Sequence, residues 1–101
     1  KAAPTPVSLE QIYDLVCENY AITKNELVSK SRKSLISEAR QVAIYLARKH
    51  TNNSLIEIGK SLGNRNHATI VYAQKTINDL MATNINLKKR IQQLECEINN
   101  I

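Results

Sequence analysis

Four side chains able to donate or accept hydrogen bonds, Arg65, Asn66, His67 and Thr69, fall within five residues, directly after Gly63-Asn64. Small and polar groups at the start of a helix suit one kind of chemistry well. A helix lying in the major groove of duplex DNA aims its first-turn side chains at the base edges. Ala68, within the same run, offers a methyl that packs on the thymine methyl. Enzymatic chemistry has weaker footing here. His50 and His67 lack a Cys, Asp or Glu at metal-ligand or triad spacing, and the sequence contains no Gly-x-x-x-x-Gly-Lys-Ser/Thr phosphate loop.

Charge supports a polyanionic partner. The 101-residue chain has a formal net charge of +5, and residues 30–50 alone carry a balance of +5 through Lys30, Arg32, Lys33, Arg40, Arg48 and Lys49 against Glu38. Residues 1–29 balance at −2, residues 51–77 at +2 and residues 78–101 at zero. The excess therefore lies just upstream of the candidate reading helix, as a polyanion-binding face requires. Lys30, Arg32 and Lys33 stand in a polar run, Ser29 to Ser34, that reads as a loop able to reach phosphate or a groove. Arg48 and Lys49 suit instead the negative pole at the end of their own helix.

The elements that must position these groups are helical. Two Gly, two Pro and four aromatics argue against β architecture, and one small all-α domain with a helix-turn-helix and a long C-terminal helix is expected. Ser8-x-x-Gln11, Thr23-x-x-Glu26 and Ser54-x-x-Glu57 each fit the capping box, predicting helices over 8–20 and about 24–30 and a start at Ser54. Ile36, Ala39, Val42, Ala43, Leu46 and Ala47 give a third helix an apolar stripe from Leu35 to about Lys49. Gly63 stops the fourth helix in a left-handed residue, and Asn64 or Asn66 caps the fifth.

Beyond that cap no Gly or Pro interrupts the chain, so the fifth helix is expected to run unbroken. Its tail has a heptad period, with Ile77, Asn84, Ile91 and Ile98 at a, and Leu80, Leu87, Leu94 and Ile101 at d. This combination suits a parallel dimer in which Arg90 faces Glu95 of the partner helix, giving self-association through residues 77–101. The division expected is a linker over 1–7, a DNA-binding domain over 8–80 and a helical extension over 81–101. Cys17 and Cys96 match no metal spacing and are expected as reduced thiols. With neither a signal-like leader nor an apolar run of about 18 residues, no membrane is expected and a cytoplasmic location is the default.

Leu55-Ile56-Glu57-Ile58-Gly59-Lys60-Ser61-Leu62-Gly63-Asn64-Arg65-Asn66-His67-Ala68-Thr69-Ile70 closely resembles the signature of the DnaA family of bacterial replication initiators. The resemblance extends from Asn19-Tyr20 to Leu80, taking in Leu27-Val28-Ser29-Lys30, Ala39-Arg40-Gln41-Val42-Ala43 and Thr51-Asn52-Asn53-Ser54-Leu55. It implies sequence-specific binding of a short nonamer box in double-stranded DNA, in the initiation and regulation of chromosomal replication. It implies a basic-loop arginine in the minor groove, here Arg32 with Lys33, and backbone contacts from Arg40 and Gln41. Arg65, Asn66, His67, Ala68 and Thr69 would read bases, while Lys30, Ser34, Ser54 and Lys75 would hold phosphates. No cofactor is expected in this chain, since the family's ATP-binding module lies upstream of the matched region.

Three departures bear on the site. Asn66 stands where the family usually has Asp, Ala68 where it has Ser or Thr, and Ser34 where a basic-loop position is usually Arg. An Asp accepts from the cytosine amino group whereas an Asn also donates to adenine, so base preference is expected to change. Two other classes fit the same features: a dimeric helix-turn-helix transcriptional regulator, favoured by Asn84 at a, and a coiled-coil interaction module with a basic face.

Overall fold

Each serine or threonine expected to open a helix makes a reciprocal cap. In the computed structural model, which describes residues 7–101, the Ser8 Oγ accepts from Gln11 N at 3.1 Å while Ser8 N donates to Gln11 Oε1 at 2.9 Å. Thr23 and Glu26, and Ser54 and Glu57, repeat this exchange. The Glu57 carboxyl is held below the usual carboxylate range by the Ser54 backbone and side-chain bonds. Among the described residues six helices follow in order: α1 Leu9–Tyr20, α2 Lys24–Val28, α3 Ser34–His50, α4 Leu55–Ser61, α5 His67–Met81 and α6 Ile85–Asn99. Among the described residues there is no strand. The expected linker lies, for residues 1–6, outside the described residues. Val7 packs against the core.

Helix α3 is the hub. Val42, Ala43, Ile44, Tyr45, Leu46 and Ala47 are all buried, so this stretch of the helix is apolar on every side, and α1, α2, α4 and α5 pack around α3. The expected boundaries shift slightly. Helix α2 stops at Val28, and Ser34 is the first residue of α3 rather than part of the loop, which leaves 29–33 as the basic connection.

The C-terminal third departs from the expectation of one continuous helix. The chain turns at 82–84, where Thr83 N and Asn84 N both donate to Leu80 O, at 3.1 and 2.7 Å. Asn84 is extended and caps α6 through Leu87 N at 3.0 Å. An Asn side chain offers the backbone this alternative to a continued helix, and nothing else in the local sequence marks the break. The turn lets α6 fold back on α1 and α5. Leu87, Ile91, Leu94 and Ile98 are thereby buried in the chain's own core, while Leu80 and Ile101, placed with them on the heptad seam, are exposed.

The residues assigned to a dimer contact are also used internally. Arg90 stacks over the Tyr20 ring at 4.1 Å, and Glu95 Oε2 accepts from Lys49 Nζ and pairs with His50 Nε2, each at 2.8 Å. Burial raises the Glu95 pKa, but Lys49 and His50 outweigh it and hold the carboxyl below its ordinary value. Helix α6 is thus fastened to α1 and to the end of α3 and does not extend as a free arm. Cys17 is buried and Cys96 exposed, both as free thiols. No helix among the described residues is long and apolar enough to cross a membrane.

Candidate nucleic-acid interface

The turn between α4 and α5 requires two glycines, Gly63 within it and Gly59 on α4. Gly63 has φ +84° and Asn64 φ +61°, both left-handed, a region open to Gly and tolerated by Asn. A Cβ on Gly63 would also stand 2.6 Å from Val28 O, so the turn sits directly on the end of α2. Gly59 lies under the next residue of the turn. Its carbonyl accepts from Leu62 N at 3.2 Å and Arg65 N at 2.9 Å, and a Cβ there would run into the Arg65 carbonyl oxygen. Asn66 then precedes α5 as its cap, its Oδ1 accepting from both Thr69 N at 2.9 Å and Thr69 Oγ1 at 3.1 Å. Of the two residues offered as caps, Asn66 is the one that does it.

This geometry limits what Asn66 presents. With Oδ1 occupied by the cap, the group left outward is the Nδ2 amide, which only donates. His67, Ala68 and Thr69 complete an exposed first turn, while Ile70, Ala73 and Ile77 bury the opposite side of α5.

Beside this turn lies a cleft of about 420 Å³ lined by Lys30, Ser31, Arg32, Ser37, Arg40, Gly63, Asn64, Arg65, Asn66 and Thr69. Four cationic side chains and no carboxylate face it. Lys33 and Ser34 follow Arg32 in the chain and are exposed, but they do not line this cleft. A smaller neighbouring cleft adds Gln41 and Tyr72 to Arg40, Arg65 and Thr69. Lys30, Arg32, Arg40, Gln41, Arg65, Asn66 and Thr69, seven of the expected residues, are therefore brought together, by two segments that meet only in the folded chain. Lys33, Ser34, Ser54, His67, Ala68 and Lys75 line neither cleft: Ser54 caps α4, and the exposed Lys75 lies 3.3 Å from the exposed Asp79.

Two arginines are used differently from expectation. Arg40 donates through Nε to Leu27 O at 2.9 Å, through Nη1 to Ser31 O at 3.2 Å and through Nη2 to Ser29 O at 2.8 Å, so it ties down the basic loop as well as facing the cleft. Burial, and then the charge of Arg65, pull its pKa below the usual arginine value. Arg65, expected among the base readers, also reaches this loop. Its Nη2 donates to the same Ser29 O and its Nε is buried without a partner. Burial lowers its pKa as well.

Tyr72 was not among the expected site residues. It is 66% exposed, three residues beyond Thr69 on the same helix, and lies off the apolar stripe of Ile70, Ala73 and Ile77. An aromatic at that spacing from a reading turn was the available signal.

Comparison with known proteins agrees with this architecture. The family described as bacterial dnaA protein helix-turn-helix matches residues 9–77. The chain is 42% identical over 88 residues to the chromosomal replication initiator protein DnaA of Methylacidiphilum infernorum, an alignment covering 87% of this chain and 19% of that protein. To the protein of the same name from Oenococcus oeni it is 39% identical over 92 residues, covering 91% and 20%. A solved structure, described as the crystal structure of DNA replication initiation factor, superposes with a TM-score of 0.79 at 31% identity, over 89% of this chain and 27% of that one. The chain spans about a fifth of the length of these curated relatives. With the helix-turn-helix in place, the basic loop against it and the match running through both, the chain belongs to the bacterial DnaA helix-turn-helix family.

Proposed function

We propose that this chain binds double-stranded DNA sequence-specifically, at a short site of the DnaA-box type, and so addresses a replication initiator to the chromosomal origin. The observation that carries the proposal is the cleft where Lys30, Arg32, Arg40 and Arg65 meet the exposed first turn of α5 with no carboxylate among them. Cationic side chains beside a helix start supply phosphate attraction, which fixes register, next to groups that read bases. In this arrangement α5 enters the major groove with Asn66, His67, Ala68 and Thr69 toward base edges. Arg32 and Lys33 reach the adjoining minor groove, where an A·T-rich, narrow groove favours an inserted arginine. Lys30, Ser34, Arg40, Gln41, Ser54 and Lys75 serve phosphates along the two strands. The chemistry asked of this chain is recognition, and ATP binding is placed in parts of the initiator outside it.

Base preference at Asn66 provides the test. Asn and Asp cap helices about equally well, so Asn66→Asp keeps the cap on one oxygen and turns the other outward as an acceptor. Where the Nδ2 amide favours a base bearing a major-groove acceptor, the carboxylate favours the cytosine amino group. Selection from random duplexes is expected to give a single unrepeated site for the parent and a shift toward cytosine at one base pair for the variant, worth ~1–3 kcal/mol. Identical selected sites for the two proteins would take Asn66, and α5 with it, out of the groove.

A further inference from the structure

We infer that Arg65 is a positioning residue, which locks the basic loop to the start of α5 and so fixes the distance between the minor-groove and major-groove contacts before DNA arrives. The inference rests on the proposed duplex binding for its functional meaning, while the lock itself is a property of the free chain.

Residues 29–33 have no helix of their own. Two serine hydroxyls bridge within the loop, Ser29 Oγ accepting from Ser31 N at 3.2 Å and Ser31 Oγ from Lys33 N at 3.3 Å. Such local bonds shape a loop without saying where it sits. Its place is set by two guanidinium groups arriving from different elements and meeting at one atom, the carbonyl oxygen of Ser29. Arg40 comes from α3 and also holds Leu27 O and Ser31 O. Arg65 comes from the turn and directly precedes Asn66, the cap of α5.

The turn offers Arg65 no freedom to swing away as a unit. Its backbone N–H is bound to Gly59 O, and Gly63 lies against Val28 O, one residue before Ser29. Loop, turn and first turn of α5 therefore share a single seat. A base reader needs its donors outward. Arg65 has Nη2 on a loop carbonyl and Nε buried without a partner, whereas Arg32 in the loop and His67 in the helix are exposed. A planar fork that crosses between two backbones suits holding them at a set spacing, and a lysine does not reproduce it. Holding the loop in its bound position removes an ordering cost from the binding step.

The test uses Arg65→Lys, which keeps the charge, in the full chain. In the free protein, amide hydrogen exchange at Ser31 and Lys33 is expected to speed up about tenfold or more while the amides of α3 keep their protection. In a double-mutant cycle on a selected duplex, Arg32→Ala is expected to weaken binding about tenfold in the parent and by less than about threefold in the Arg65→Lys background, because an unseated loop gains little from its arginine. Equal factors in the two backgrounds, or unchanged loop exchange, would overturn the lock. Loss of preference at a single major-groove base pair, with the Arg32 effect intact, would make Arg65 a base reader instead. If the lysine variant loses helicity, Arg65→Gln, which retains a donor and part of the stem, takes its place under the same criteria. A parent that does not discriminate among duplexes would defeat the proposed function, and the exchange result would still decide the lock.

Discussion

Gly59→Ala is expected to destabilise the domain by about 3 kcal/mol or more, the upper end of what overpacking usually costs. The added methyl would meet backbone, the Arg65 carbonyl, and backbone cannot step aside as a flexible side chain does. To make room, α4 and α5 must separate, which breaks the Arg65 N–H bond to Gly59 O and lifts the turn from the end of α2. For a domain of this length each kcal/mol lowers Tm by about 4–8 °C, so a fall of roughly 12 °C or more is expected in a thermal melt followed by circular dichroism. Affinity for duplex DNA is expected to fall as well at temperatures where the variant is folded, since the same movement displaces Asn66. A melt within a degree or two of the parent would mean that α4 and α5 do not approach this closely.

Removal of α6, by ending the chain at Ala82, is expected to leave the remainder unfolded. Four apolar side chains, Leu87, Ile91, Leu94 and Ile98, are buried by this helix. At about 1.5–3 kcal/mol for each, their burial amounts to on the order of 6–12 kcal/mol. Small domains have only about 5–15 kcal/mol in total. The loss also removes Glu95 from Lys49 and His50, and Arg90 from the Tyr20 ring. A single substitution makes the same point with less disruption: Leu94→Ala is expected to cost about 2–5 kcal/mol in a urea titration, because the site is fully buried. An unaltered melt in either protein would restore the heptad expectation, in which this helix stands apart from the core.

The contrast between those two regions shows which features a sequence of this kind makes legible. Helix starts at Ser8, Thr23 and Ser54 were readable because a capping box is a local exchange between residues three apart, needing nothing from the rest of the fold. The turn was readable through Gly63, and the basic face through the run at 30–33. The break before α6 was not. Asn84 fits a polar heptad position and a helix cap equally well, and over two or three turns a period of 3.5 is hardly distinguishable from 3.6. Only the apolar surface available on α1 and α5 decides that Leu87 and Leu94 turn inward to their own chain. Arg40 and Arg65 were legible as charge but not as geometry. Sequence places a guanidinium near a site, and the carbonyls of Leu27, Ser29 and Ser31 that occupy it become visible only once α2 has ended at Val28.

Whether the basic loop and the start of α5 form one surface for duplex DNA is decided by the salt dependence of binding to a selected duplex. Each phosphate neutralised contributes about −0.9 to the slope of log K against log salt, so five or six contacts give a slope of roughly −5. Anisotropy titrations between low and moderate salt are expected to show that slope for the parent and a shallower one, by about one contact, for Lys30→Ala. A slope near zero, with the two proteins alike, would mean that this surface does not bind duplex DNA through its cations.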